Sequence, residues 1–354
     1  MMSQGFDILL NAVPDPTMPL PGKVEVVEAV GAWTSYRLSY GLNIQEGDLP
    51  LLNDARIGPE SELAVRVPNG SAVEILVNGP VTEQRIELVT GGEGSSVEVC
   101  GGDKTVAMAR ESKIKVWPTT TDAAALMEIL GAHALTPDVT LTSTVAHDET
   151  RNALTQRETD LAFVRRIARR NGCWFWLTYD PLLGLATAHV KRPPVDGLPA
   201  ATLVVNGEGR NLDTASIAWN TERTASVAAT SLDVRTLQDM TGDVERSPLT
   251  GLASQALADI APAVRKSRLT LPVDDAGDLI VRSEAALIDA GWCVSATVTA
   301  KYSVLGKVLR AHTLVELGGV GSRHSGKYLV ERVEHRIDAD DHVMHARLIR
   351  NGWN

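Results

Sequence analysis

From residue 22 to residue 90, apolar and polar positions alternate in short runs such as Lys23-Val24-Glu25-Val26 and Glu62-Leu63-Ala64-Val65-Arg66-Val67. A period of two punctuated by Gly, Pro and Asn predicts antiparallel strands. Pro68-Asn69-Gly70 ends the second run, because proline presets one turn position and Gly70 is free to take positive φ. Two more strands are expected at 72–77 and 85–89, before Gly91-Gly92-Glu93-Gly94 turns the chain into Ser96 to Cys100. Residues 22–108 thus carry the pattern of a small β-barrel.

The period changes after Pro118. Residues 121–134 place Ala125, Leu126, Ile129, Leu130 and Ala132 on one helical stripe, stopped by Thr136-Pro137-Asp138. A second helix is expected to open on a capping box, Thr155-Gln156-Arg157-Glu158, to bury Leu161, Phe163, Val164, Ile167 and Ala168, and to stop at Asn171-Gly172. Arg165, Arg166, Arg169 and Arg170 crowd its last turns, where cations suit the helix dipole. Cys173-Trp174-Phe175-Trp176-Leu177 then reads as a strand, since aromatic residues favour a half-buried pleated surface.

Strand patterning returns from Ala201 to Val234, the polar stretch Asp239 to Pro248 reads as a linker or long loop, and Ser283 to Ala290 as a helix. Strands at 292–298 and 308–317 lead into a closing hairpin, whose first arm runs from Gly326 through Val333-Glu334-His335, turns at Asp338 to Asp341, and returns from Met344 to Asn351. The spacing of Gly79 from Ile86-Glu87 repeats that of Gly326 from Val333-Glu334, which raises a duplicated barrel. The expected fold class is mainly β with an α+β insert and two small β-barrel domains. The first barrel takes 1–110 and can be completed by 200–236; the α+β domain takes 111–199; strands at 200–238 return to the first barrel; 239–354 form the second barrel, with a long loop and a short helix.

Composition narrows the class. A chain of 354 residues with 44% hydrophobic content can bury two or three proper cores, which excludes disordered and fibrous classes. Cys100, Cys173 and Cys293 are odd in number and lack the spacing of a zinc site or disulfide framework, so they read as small buried hydrophobes. The formal net charge of −10 gives no footprint for specific nucleic-acid binding. Met1-Met2-Ser3-Gln4-Gly5 lacks the basic flank and apolar run of a secretory signal, and no stretch approaches the roughly twenty apolar residues of a membrane span. Synthesis in the cytoplasm and no membrane partner are expected.

Candidate chemistry is sparse. His335, His342 and His345 with Asp338, Asp340 and Asp341 lack a recognised ligand spacing, and a polar hairpin tip explains them, with His335 ending its strand. Nothing places His147-Asp148-Glu149 beside Cys173 as base and nucleophile. Gly318, Gly319 and Gly321 lack the Lys-Ser/Thr pair and helix of a phosphate loop and read as tight turns. The arginine-rich helix end has solvent as its first expected face and a subunit contact as its second, with phosphate or an acidic partner as what it would meet. No catalytic, cofactor-binding or metal-binding residue is assigned, and no cofactor is expected.

The segment from Arg157 to Arg166, reading Arg-Glu-Thr-Asp-Leu-Ala-Phe-Val-Arg-Arg, followed by Gly172 and the aromatic strand, resembles the Arg-Glu-(Ser/Thr)-Asp-x-x-Phe-(Leu/Val)-x-Arg helix of the late control protein D and VgrG family of tail hubs. Gly319-Val320-Gly321 through Gly326-Lys327-Tyr328 to the final hairpin is a second match, and Gly101 to Asp103 a third, in the family's order along most of the chain. Members often carry Gln two residues before the arginine, where this chain has Thr155. The resemblance implies structural roles for Arg157, Glu158, Asp160, Phe163, Arg166, Gly172, Gly326, Tyr328, Val330 and His335.

It further implies a homotrimeric baseplate hub, not an enzyme, whose two barrels per subunit build a ring that adapts a hexameric tail tube to a trimeric spike. The implied partners are the tail tube protein, a spike protein and other baseplate proteins, in a virion tail or extracellular injection particle. VgrG proteins continue past the hub into a neck and needle, whereas this sequence stops at Asn354, so the spike is expected to be a separate polypeptide. Two alternatives remain open. A tail-tip cell-wall hydrolase would need a carboxylate pair or metal in a cleft. A carbohydrate-binding β-module would need concentrated exposed aromatics, against seven Trp, five Tyr and three Phe in the whole chain.

Overall fold

The period-two runs become β1 (Asp7–Leu10), β2 (Lys23–Ala29), β3 (Ser35–Gly41), β4 (Glu62–Asn69), β5 (Ala72–Glu87) and β6 (Ser96–Gly102). Their alternation is visible in burial: Val24, Val26, Tyr36 and Leu38 point into the core while their neighbours face out. Gly70 takes φ 64° in the β4–β5 turn. The computed structural model describes residues 5–43, 48–90, 92–148, 153–233, 236–260, 265–271, 273 and 276–354; Met1 to Gln4, Gly91, Glu149 and Val234, named above, lie outside them.

The two strands expected at 72–77 and 85–89 are one. β5 pairs with β4 up to Pro80 and with β6 from Val81, and a register shift in each ladder leaves Leu76 and Thr82 as bulged residues. The chain can pass so closely here only because side chains are missing. A Cβ on Gly79 would sit 2.3 Å from the Gly102 carbonyl oxygen, and one on Gly101 would sit 2.3 Å from the Pro80 carbonyl oxygen.

The α+β insert holds β7 (Ser112–Trp117), α1 (Asp122–Ala132), β8 (Leu154–Thr159), α2 (Asp160–Arg170), β9 (Trp174–Tyr179) and β10 (Ala186–Lys191) around its own core of Trp117, Leu126, Leu130, Phe163, Ile167 and Val190. The expected capping box at 155–158 is a correction. Those residues pair along β7, with Leu154 and Gln156 inward, and the helix starts one turn later behind Thr159, whose Oγ1 accepts from the Ala162 amide at 3.2 Å. Strand pairing overrides the local cap signal.

The remaining strands are β11 (Ala201–Val204), β12 (Thr214–Trp219), β13 (Thr224–Asp233), β14 (Arg265–Thr270), β15 (Val294–Lys301), β16 (Leu314–Gly318), β17 (Gly326–Ile337) and β18 (His342–Arg350). A helix, α3 (Ala276–Ala290), starts earlier than expected. The stretch 239–248, expected as a loop, contributes to a strand, Gln238–Thr241, on β13.

β17 is the seam of the molecule. It pairs with β16 through Leu329, with β2 from Arg332 onward, and with β18 along most of its length, so the first and last strand sets merge into one 13-stranded ladder. Its order is β12-β15-β18-β17-β2-β3-β6-β5-β4-β1, with β1 carrying Val13–Pro14 and β11 joining through β16. Two expectations change. The strands at 201–204 and 214–219 pair with β16 and β15 and do not return to the first set. No closed barrel forms among the described residues, because the long strands β5 and β17 change partners at bulges and carry the ladder onward over a shared core, in which Val24, Leu38 and Leu63 cluster with Val298, Leu317 and Leu348. Both strands that the Gly79 and Gly326 echo marks are these partner-changing strands.

Gly79→Ala should cost about 1–3 kcal/mol, since its Cβ meets backbone that cannot turn aside. Gly131→Ala, in α1 with open space around its Cβ, should stabilise by up to about 1 kcal/mol. Urea unfolding of the two variants checks the opposite signs.

Candidate functional site

The motif residues fall into two separate groups. The first surrounds the start of α2. The buried Asp160 carboxylate accepts from Lys113 Nζ at 2.5 Å and Gln156 Nε2 at 2.7 Å, and pairs with His133 Nε2 at 2.8 Å. Burial alone would raise its pKa, but the Lys113, His133 and Gln156 bonds outweigh that and hold it below the usual carboxylate range. Phe163 is fully buried and stacks on Trp117 with 5.7 Å between ring centroids. Arg166 crosses that ring at 5.1 Å, pairs with Glu158 at 2.6 Å and donates to the Thr155 carbonyl. Arg157 points to solvent. At the far end, Gly172 takes φ +66° where a Cβ would lie 2.7 Å from Ile288 of α3.

The second group lies on β17. Tyr328 and Val330 are fully buried. Arg350, with only 1% exposure, lies over the Tyr328 ring and donates to the carbonyls of Arg323, Ser325 and Gly352, so a buried cation is held by backbone oxygens at the start of the hairpin. Gly326, at φ +129°, abuts the same guanidinium.

His335 does not end its strand. It is fully buried, with Nδ1 2.9 Å from His342 Nε2 and Nε2 3.7 Å from Glu28. Glu28 accepts from Arg310 Nε at 2.6 Å and from the Ala311 amide, and Arg310 reaches Glu74 at 2.8 Å and the carbonyls of Ile75 and Leu76. Beside this chain of charges lies a cavity of about 310 Å³ between β2, β9 and residues 310–313. Trp176 lies there between His312, 4.7 Å away, and His189, 5.0 Å away. Burial pushes the His312 pKa down to about 4, and burial with the neighbouring His335 pushes His342 down to about 3. Sequence reasoning missed Glu28, Arg310 and Arg350. The first was detectable, because the inward positions Val24 and Val26 lead directly to it.

Little here is poised for chemistry. Cys173 is buried and its thiol is pushed up to about 12, away from a reactive thiolate. His147 is held by Asp122 at 2.8 Å and touches Arg170. His345 lies on the opposite strand face from His342 and meets Thr299, and no group of three His, Cys, Asp or Glu among the described residues is arranged to hold a metal. Gly319, at φ +74°, is a close approach to the Asn206 backbone. No described helix is long and apolar enough to cross a membrane.

The surface offers apolar strand edges instead. β12 ends the large ladder with Trp219 57% exposed, and β7 turns Ile114, 90% exposed, and Val116 to solvent.

This mainly β architecture is shared with phage tail proteins. A tail protein from Neisseria meningitidis MC58 superposes with a TM-score of 0.68 at 12% identity, over 99% of this chain and 97% of that one. The 43 kDa tail protein of prophage MuSo2 from Shewanella oneidensis gives 0.68 at 15% identity, over 99% and 100%. An Escherichia coli component of the type VI secretion system gives 0.57 at 12% identity, over 99% and 75%. Residues 38–339 match the family model described as the Alg8 N-terminal domain, and the chain belongs to that family. That model is not one of late control protein D, so the motif resemblance to the hub family stands at the level of fold. A comparison with curated protein sequences finds no match.

Asp160→Ala should destabilise by about 1–3 kcal/mol, because it removes the shared acceptor of Lys113, His133 and the buried Gln156, while Arg157→Ala should stay within about 0.5 kcal/mol. Thermal and urea unfolding check this pair. For pH, His312 and His342 have folded pKa values below the unfolded value of about 6.5, so the unfolded chain binds more protons and stability falls as pH drops below it. Between pH 7 and 5 each should cost about 2 kcal/mol, a window that lies above the carboxylate titrations. Unfolding midpoints of wild type and His342→Asn across that range should differ in slope, the variant being flatter.

Proposed function

We propose that this protein is the structural baseplate hub of a contractile phage tail or a related injection particle, a homotrimer that adapts a sixfold tail tube to a threefold spike. In this reading each subunit contributes its two strand sets, joined at β17, as two of six similar units around a ring, and the α+β insert stands outside them. The observation that carries it is the end-to-end likeness in fold to two tail proteins, covering 99% of this chain and nearly all of each of theirs.

Two features of the chain support it. Apolar side chains on β7 and on the β12 edge are of the kind that become covered on assembly. Buried Asp160, Glu28 and Arg310 are all tied to structural partners, which suits a role carried by shape and interfaces and not by turnover. Tail tube, spike and other baseplate proteins are the partners, and the assembled particle is where the protein works.

Light scattering on the purified protein, alone and with candidate tube and spike proteins, should give the mass of three 37.9 kDa subunits. A protein that stays monomeric with both partners present, or one that degrades peptidoglycan, overturns the hub.

A further inference from the structure

The four arginines of α2 do not all face solvent. With Arg282 of α3 they line a cleft of about 830 Å³ between the two helices, floored by Trp174 and Phe175. Most are neutralised within the chain: Arg166 by Glu158, Arg169 by Asp289, Arg170 by Asp122, and Arg282 by Asp278. Arg165 is the exception. It makes no hydrogen bond or ion pair among the described residues, its Nε is buried without a partner, and the carboxylate acting on it, Asp103, is already occupied by Thr34 and Thr105. Of the two carboxylates that line the cleft, Asp289 holds Arg169 and Glu331 holds Arg347. A half-buried guanidinium with a buried N–H that meets no acceptor is costly, and a carboxylate entering the cleft would relieve it.

The complementary group is on the same chain but out of its own reach. The β17–β18 turn, Asp338-Ala339-Asp340-Asp341, is acidic, and Asp338 and Asp340 are exposed. Asp341 is engaged by Ser303 and the His342 amide, and Asp338 Oδ1 accepts the amides of Asp340 and Asp341, which fixes the turn and leaves the Asp340 carboxylate without a partner among the described residues. Glu331 at the cleft and Asp338 at the turn lie on one extended strand, which separates them by roughly 23 Å at about 3.3 Å per residue. A turn on one copy can therefore meet only the cleft of another.

We propose that the α2–α3 cleft seats the acidic β17–β18 turn of a second copy of this chain, with Arg165 pairing Asp340. Each copy then offers one cleft and one turn, a heterologous contact that ends by closing a ring. This rests on the trimeric hub reading, and it identifies the contact that holds the trimer.

The test is charge reversal read by light scattering, with urea unfolding as the control that each variant folds. Arg165→Glu and the pair Asp338→Lys with Asp340→Lys should each weaken trimer formation at least tenfold, and all three together in one chain should restore it. Added salt should weaken the wild-type trimer. Trimers that persist unchanged in both separate variants overturn the cleft contact and leave the hub standing. Dissociation that the combined variant does not reverse overturns the Arg165–Asp340 pairing. Loss of oligonucleotide binding in Arg165→Glu with an unaltered trimer would show a phosphate seat and overturn it as well. A wild-type chain that never associates, with tube and spike present, overturns the hub itself.

Discussion

Glu28 and Arg310 hold the two ends of the chain together, and much of the rest is arranged to let them. They are 282 positions apart in sequence and 2.6 Å apart in space. Burying either alone would cost several kcal/mol, so a fold that takes Val24, Val26 and Glu28 inward on one strand must also deliver a cation to that strand. Burial pushes the Glu28 carboxyl up, and Arg310, His335 and the Ala311 amide together more than reverse that shift. The guanidinium has capacity to spare and spends it on Glu74 and on the Ile75 and Leu76 carbonyls. Leu76 is the residue that the β5 bulge leaves out of the ladder, so its carbonyl is accounted for by a side chain and not by a strand.

The same tie explains why the two strand sets do not separate into independent units. β17 leaves β16 and takes up β2 around the bulge at Glu331, whose carbonyl accepts the Val30 amide just past the end of β2. His335 then sits over Glu28 on the neighbouring strand, and His342 continues the polar line into β18. Hydrogen-bond ladder, buried charge and shared apolar core therefore act on one seam. Along this seam the ionisable groups are already used in holding the chain together.

How legible this was in the sequence depended on whether a signal was local. Alternation located the early strands and the closing hairpin, and helical periodicity located α1 and the buried face of α2, because burial of one face is written into neighbouring residues. The start of α2 was misread since Thr155-Gln156-Arg157-Glu158 satisfies a capping rule locally, while its pairing with Ser112–Trp117 is forty residues away and invisible to that rule. β5 read as two strands because its bulges shift the phase of alternation. Glu28 and His335 stood in plain view on the inward phase, after Val26 and Val333, and were passed over because polar residues are normally assigned outward. Arg350 and Arg165 gave no such signal. One is held by backbone carbonyls and the other is singled out only by what its neighbours already bind.

Identity of 12–15% to tail proteins of the same fold leaves few side chains in common, so a recognisable motif calls for a physical reason at each position. For several positions the structure supplies one. Gly172 has left-handed backbone and no room for a Cβ beside Ile288; Asp160 gathers three polar side chains at the entrance of α2; Arg166 closes over Phe163 and ties the helix back to the strand before it. Arg157, exposed at the head of the same motif, has no such tie among the described residues. Arg157 projects from β8, which pairs only with β7 among the described residues, beside the exposed Ile114.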